Sequence, residues 1–256
     1  MIDLDISDGL AEITLNVPAK LNSLDATGLA ELGNAYREAA DAGVRALLLR
    51  GEGRAFCAGR DISEVDAAND DGTAFLRDEV TPVLKAMAEF PAPTFAAAQG
   101  ACLGIGLGLL LATDVVYVAE NAKFGSPFAA LGAALDSGGH ALFFERLGAH
   151  RALDLIYTGE LMSGADAVAS GLFSRSVPED ELLEFTRGKA RAAASGATQA
   201  FLASKRMIAQ LRDDRVGLWA SVEAENIAQG ELGRTSDYAE GFRAFQEKRK
   251  PTFTGR

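Results

Sequence analysis

Twice along this chain a short, almost wholly apolar run ends in a cluster of glycines, and that recurrence limits the fold more than any other feature. Residues 44–49 run into Gly51-Glu52-Gly53-Arg54-Ala55-Phe56-Cys57-Ala58-Gly59-Arg60-Asp61, and residues 94–99 run into a second loop over residues 100–106. Apolar runs of this length bounded by glycine suit strands buried on both faces. A polar stretch and then a helical pattern over residues 73–90 follow the first loop. An apolar helix over residues 105–112 and a strand over residues 114–119 follow the second. This rhythm of strand, loop and helix predicts an α/β fold with its chemistry in loops at strand ends.

Ahead of these units, Ile2, Leu4 and Ile6 alternate with acids, and residues 10–15 follow the turn signal Ser7-Asp8-Gly9, a β-hairpin pattern. Ser23 or Asp25 is placed to cap a helix carrying Leu29, Leu32, Ala35 and Tyr36 at helical spacing, running to about Ala42 and stopped by Gly43. From Asp136 onward the pattern is mainly helical. Ser163-Gly164-Ala165-Asp166 resembles a capping box with Asp in the acidic place, opening a helix that Gly171 closes. Residues 172–177 read as a short strand, and Pro178-Glu179-Asp180 opens another helix. Helices fill most of the chain to Glu247, with breaks expected near Gly196, over residues 230–237 and at Gly241. No linker rich in Ser and Pro divides the chain. The expected organisation is one core over residues 1–195 with a helical extension over residues 196–256.

The 256 residues are 48% hydrophobic, enough to bury a substantial core, and 36 Asp+Glu against 25 Lys+Arg leave a net charge of −11. That field repels phosphate backbones and anionic lipid, so neither nucleic acid nor a membrane is an expected partner. An anionic small ligand needs a local basic patch, and Lys248-Arg249-Lys250 is the densest cluster. Cys57 and Cys102 cannot build a disulfide framework and lack zinc spacing, so they read as small buried hydrophobes in a reducing, cytoplasmic compartment. No metal site is expected. The chain opens without a basic, then apolar leader, and its longest apolar run, residues 101–112, falls short of the roughly 20 residues that cross a bilayer.

Gly104-Ile105-Gly106-Leu107-Gly108 invites a dinucleotide reading, but the G-x-G-x-x-G spacing fails at Leu109 and no strand-end acid is placed to hold a ribose. Two readings remain. The glycines let an apolar helix pack closely against its neighbours, or the two loops together present backbone N–H groups to a developing oxyanion. His140 stands four residues after Asp136 and could share its helix face, although an ordinary surface or partly buried histidine is the preferred reading.

The segment Ala55-Phe56-Cys57-Ala58-Gly59-Arg60-Asp61-Ile62, the loop Gly100-Ala101-Cys102-Leu103-Gly104-Ile105-Gly106 with Asp114 after its helix, Thr158-Gly159 through Gly171-Leu172, and the ending Gly241-Phe242-Arg243-Ala244-Phe245-Gln246-Glu247-Lys248-Arg249-Lys250-Pro251 occur in order over nearly the whole chain. Together they resemble the crotonase superfamily, also called the enoyl-CoA hydratase/isomerase family. The resemblance implies a spiral of strand-strand-helix (ββα) repeats, a C-terminal helical trimerisation region and acyl-CoA thioester substrates. Coenzyme A is then part of the substrate, no further cofactor is needed, and the assembly is a homotrimer or a dimer of trimers. It further implies that the backbone N–H groups of Arg60 and Ile105 hold the thioester oxygen as it gains enolate charge. A backbone donor asks nothing of its own side chain, so Arg and Ile are acceptable there. Lys20, Leu21, Ala58, Asp61 and Ile62 are carried over to coenzyme A binding, with Phe245 and Lys248 supplied from a neighbouring subunit; for the last two a solvated tail helix is the plain alternative.

Hydratases of that family carry two glutamates, and the matching positions here are Gly108 and Phe128. Neither can activate water or pass a proton, so two-glutamate hydration is disfavoured. Asp136, in Leu135-Asp136-Ser137-Gly138-Gly139, stands where members that move a double bond place an acid, and its setting resembles the 1,2-epoxyphenylacetyl-CoA isomerase and Δ3,Δ2-enoyl-CoA isomerase branches. The implied activity is an acyl-CoA isomerase with Asp136 as acid and base. The competing role for Asp136 is an N-cap for a helix from His140, and a carboxylate tied to helix amides is a poor base. Two other outcomes stay open: a dehalogenase-like reaction, whose helper His and pocket Trp would map to Thr81 and Phe128, with the single Trp elsewhere at Trp219, and acyl-CoA binding without turnover.

Overall fold

The computed structural model describes residues 1–63, 65, 71–125, 134–214 and 234–256. The hairpin forms as expected: β1 (Ile2–Ser7) runs antiparallel to β2 (Leu10–Leu15) through a turn with Asp8 and Gly9 both at positive φ. Asp25, rather than Ser23, caps α1 (Ala26–Asp41) by accepting from the Gly28 amide at 2.8 Å. The first buried run gives β3 (Ala46–Gly51), displaced two residues from the expected 44–49 because Val44 and Arg45 serve as its entry, Arg45 N–H donating to Gly9.

Where one helix is expected over residues 73–90, the structure has three segments: α2 (Gly72–Ala74), a π-helical stretch (Phe75–Val80) and α3 (Thr81–Ala88). Pro82 lacks an amide donor, and the Thr81 hydroxyl donates to the Leu76 carbonyl at 2.8 Å, holding the widened turns. The second unit comprises β4 (Thr94–Ala98), β5 (Ala101–Leu103) and α4 (Ile105–Leu111), so part of the expected glycine loop is itself a strand. Then come β6 (Val115–Ala119), β7 (Lys123–Gly125), α5 (Gly139–Leu147), α6 (Ala149–Thr158), β8 (Met162–Ser163), α7 (Gly164–Ala169), β9 (Arg175–Val177), α8 (Glu179–Ala194), α9 (Thr198–Asp213) and α10 (Ser236–Gln246). The capping box at Ser163 is present: its hydroxyl accepts from the Asp166 amide and donates to the Asp166 carboxylate. The break expected at Gly241 is absent, since α10 runs through it; one glycine costs a helix only about 1 kcal/mol, and the tail bonded along α10 outweighs that.

The main sheet has the order β1-β2-β3-β4-β6-β9 and is parallel from β2 onward; a smaller sheet has the order β5-β7-β8. Isolated parallel bridges, Leu24 with Arg60 and Cys57 with Cys102, extend the small layer beyond its named strands. Each turn of the chain therefore lays one strand in the large sheet and one extended segment in the small layer before entering a helix. That is a spiral of ββα units. α8 lies across β2, β3, β4 and β6, and Arg187 of α8 joins Arg50 of β3 on the half-buried Glu12 of β2 at 2.7 and 2.6 Å. The helical C-terminal part begins after a break at Gly196 and is tied to the core by Lys205 on Asp114 at 3.0 Å and by Arg45 on the carbonyls of Gly196 and Phe253. No helix among the described residues is long and apolar enough to cross a membrane.

Candidate active site

Both glycine turns lie at the carboxyl ends of their strands and press against each other. Cys57 N–H donates to Ala101 at 3.1 Å and Leu103 N–H donates to Cys57 at 3.0 Å. A Cβ on Gly59 would stand 3.0 Å from the Leu103 carbonyl, and one on Gly106 would strike Cys57. Gly59 sits at φ +103 and Gly104 at φ +51, backbone that a side chain would strain. Only glycine lets the two turns approach this closely.

Leu24 bonds to the residues either side of Arg60, donating to Gly59 at 2.9 Å and accepting from Asp61 at 2.9 Å. In a parallel pairing of that kind the N–H of Arg60 points away from Leu24. The far side of this segment is where Leu103 and Gly104 lie. Ile105 is the first residue of α4, so its N–H has no acceptor within the helix. The Arg60 side chain leaves in another direction, its guanidinium 3.8 Å from the centre of the Phe75 ring.

Two side-chain amides that composition and spacing do not announce hold the first turn. Asn22, 1% exposed, donates to the carbonyls of Glu52 and Ala55 at 2.9 and 2.8 Å and accepts from Val17 N–H at 2.8 Å. Gln99 donates to the carbonyls of Gly51 and Gly53 at 2.8 and 2.9 Å. The available signal for Asn22 is its place directly after a Pro-Ala-Lys turn, where it and Leu21 adopt left-handed backbone that Asn tolerates.

Lys20, Leu21, Ala58 and Asp61 are brought together at the rim. Ala58 N–H donates to the Leu21 carbonyl at 2.9 Å, and Lys20 Nζ meets Asp61 at 2.6 Å. That lysine, together with bonds from Ser63, holds the Asp61 carboxyl well below the usual carboxylate range. Ile62 is exposed beside it at 57%. Lys248 is exposed just after α10, and the contacts of the tail lie on α10 and on Arg45, at the amino end of β3 and opposite the glycine turns. Within the basic cluster Arg249 is held by Glu240 and Glu247, which leaves Lys248 and Lys250 exposed. Phe245 is on α10 with its side chain outside the described residues, as are Phe128 and Trp219 altogether.

Asp136 is not a helix cap. The residue preceding α5 is Gly138, at φ +84, and the Asp136 carboxylate accepts instead from the Ser137 hydroxyl at 2.7 Å. Burial raises its pKa above the ordinary value, partly offset by the Ser137 bond and by His140. His140 itself is exposed on α5, off which Asp136 lies. Ser137 packs directly on Gly108: a Cβ there would overlap the Ser137 Cβ and stand 3.2 Å from its Oγ. Gly108 is three residues past Ile105, about 4.5 Å along the α4 axis. The Asp136–Ser137 turn thus borders the same helix that presents the Ile105 amide. Gly108 and Ser137 open onto a cleft of about 950 Å³ between α3, α4 and α5.

A family model described as enoyl-CoA hydratase/isomerase matches residues 5–256. The chain belongs to the enoyl-CoA hydratase/isomerase family, the crotonase superfamily. Among curated relatives, a Rhodobacter capsulatus protein named a probable enoyl-CoA hydratase is 37% identical over 100% of this chain and 98% of its own. The 1,2-epoxyphenylacetyl-CoA isomerase of Escherichia coli is 33% identical over 98% of this chain and 97% of its own. A crystal structure from Mycobacterium abscessus, described as an enoyl-CoA hydratase/isomerase, superposes with a TM-score of 0.93 at 34% identity, covering 100% of both chains. The ββα spiral is therefore the crotonase fold, and the family's names divide between hydration and isomerisation.

Proposed function

We propose that this crotonase-family chain is an acyl-CoA isomerase that shifts a carbon–carbon double bond, with Asp136 as its single acid and base. The observation that carries this is the pairing of Asp136 with Gly108. A half-buried carboxylate whose pKa is raised by burial lies beside α4, and the family position for a hydratase glutamate on α4 is a glycine covered by Ser137. In this reading the Asp136 carboxylate takes a proton from the carbon alpha to the thioester. The electron pair passes into a dienolate whose oxygen is held by the backbone N–H groups of Arg60 and Ile105. Asp136 then returns the proton at the gamma carbon, so that the double bond moves with no net gain or loss of atoms. With one oxygen bonded by Ser137, the other is left for the substrate.

The coenzyme A portion lies along Lys20, Leu21, Ala58, Asp61 and Ile62, with Phe245 and Lys248 of a neighbouring subunit in a homotrimer or dimer of trimers meeting its adenine and phosphates. The tail contacts at the opposite end of β3 support a second subunit as their source. A dehalogenase-like course is disfavoured, because Thr81 occupies the helper-base position and its hydroxyl is engaged by the Leu76 carbonyl. The test is a panel of 3-enoyl- and 2-enoyl-CoA thioesters incubated in deuterated water and read by mass spectrometry. Interconversion with deuterium gained at the alpha and gamma carbons, lost in Asp136→Asn, is the expected result. Hydration without isomerisation, or activity that survives the substitution, overturns the proposal.

A further inference from the structure

Two positions that touch in the fold carry residues that their local backbone disfavours. Ser137 sits at φ +52, left-handed backbone that glycine adopts without strain, and two glycines follow it directly. Gly108 is buried inside α4, where alanine or leucine would hold the helix better. Each choice makes sense against the other. A Cβ on Gly108 would stand 2.4 Å from the Ser137 Cβ, so the bare helix backbone is the seat on which that side chain rests. The same helix begins with Ile105, three residues earlier, which ties the place of Ser137 to the proposed oxyanion donor.

From that seat the Ser137 hydroxyl donates to Asp136 Oδ1 at 2.7 Å. The carboxyl torsion of an aspartate is broad and weakly restrained, and a bond from a fixed donor narrows it. The backbone of the acid is held as well, because the Gly139 amide donates to the Asp136 carbonyl at 2.9 Å. A glycine at position 137 would meet the same backbone demand without strain but would leave the carboxyl free to turn. Resting on the isomerase reading of the site, we infer that Ser137 is a positioning residue: seated on Gly108, it holds the Asp136 carboxylate in one orientation relative to the Ile105 amide while the proton is taken and returned.

Burial raises the Asp136 pKa, while the Ser137 bond and then His140 of α5 lower it. α4 and residues 126–135 carry no ionisable side chain, and Lys85, Glu145 and Arg212 line the cleft from α3, α5 and α9. Substitutions at Ser137 leave all of these in place. Deuterium uptake at the alpha carbon of a 3-enoyl-CoA is followed across pH, together with isomerisation, for the parent, Ser137→Ala and Ser137→Gly. Ser137→Ala keeps the Cβ on Gly108 and removes only the donor. Ser137→Gly is free of left-handed strain, so it guards against misfolding of the first. In both, the basic limb should move up by about one pH unit, the worth of one bond to a charged group, and the rate on the plateau above it should fall about tenfold. A merely structural role would lower the plateau without moving the limb. A limb that stays in place, or a plateau within about twofold of the parent, overturns the inference, as does a parent that takes up no deuterium. A parent that takes up deuterium without isomerising counts against the isomerase reading alone.

Discussion

Two aspartates mark the two ends of this site, and their surroundings drive them in opposite directions. Asp61 lies at the rim, where Lys20 and Ser63 stabilise its charge and hold its pKa down. Asp136 lies inside, where burial raises its pKa and a single hydroxyl only partly offsets that. In the proposed reaction the same side chain is a fixed anion in one place and a proton carrier in the other. The difference is in solvation and partners, the general means by which one residue type can be fitted for binding in one setting and for acid–base chemistry in another.

The largest expected effect follows from that contrast. Asp136→Asn should lower kcat for double-bond migration by about 10²–10⁴ with little change in KM, whereas Asp61→Asn should change KM by only a few fold. Equal losses of kcat in steady-state assays would erase the distinction. Next comes the backbone frame on which both depend. Asn22→Ala leaves the Glu52 and Ala55 carbonyls and the Val17 amide without their partner, and should cost about 2–4 kcal/mol in urea unfolding. Gly108→Ala should cost about 1–3 kcal/mol by pressing on Ser137, and adding Ser137→Gly should restore most of it, a coupling that a double-mutant cycle measures.

The pH dependence sharpens the comparison at smaller amplitude. In the proposed mechanism Asp136 acts as a base only when ionised, so kcat/KM should rise with pH along a limb displaced above the ordinary carboxylate range; Asp61, held below that range, should add no limb. For stability the raised folded-state pKa means that Asp136 favours folding fully below its unfolded pKa, and that this contribution is lost as pH rises through the folded value. Asp136→Asn should therefore gain stability relative to the parent near neutrality and lose that advantage in acid, as thermal unfolding at several pH values would report.

Much of the architecture is legible in the residues. Glycines before and after the buried runs mark the strand ends, Asp25 and Ser163 announce their helices, and Cys57 and Cys102 are buried as expected. The misreadings have local causes. The π-helical turns at Phe75–Val80 depend on how Thr81 and Pro82 join two helical pieces, and Gly241 stays helical because the tail bonds along α10. Asn22 and Gln99 are not legible in the residues, because most of the partners of these side-chain amides are backbone carbonyls, which every residue has. Asp136 was ambiguous between cap and base because spacing alone allowed both.

What the sequence determined by itself is the pair of glycine turns and the rhythm of strand, loop and helix that carries them, because left-handed backbone and close approach are requirements that glycine meets locally. The carboxylate was a different matter. Only the tertiary structure decided that Gly138 precedes α5, that Ser137 fills the space over Gly108, and that Asp136 is left half-buried, since desolvation is produced by segments remote in the chain.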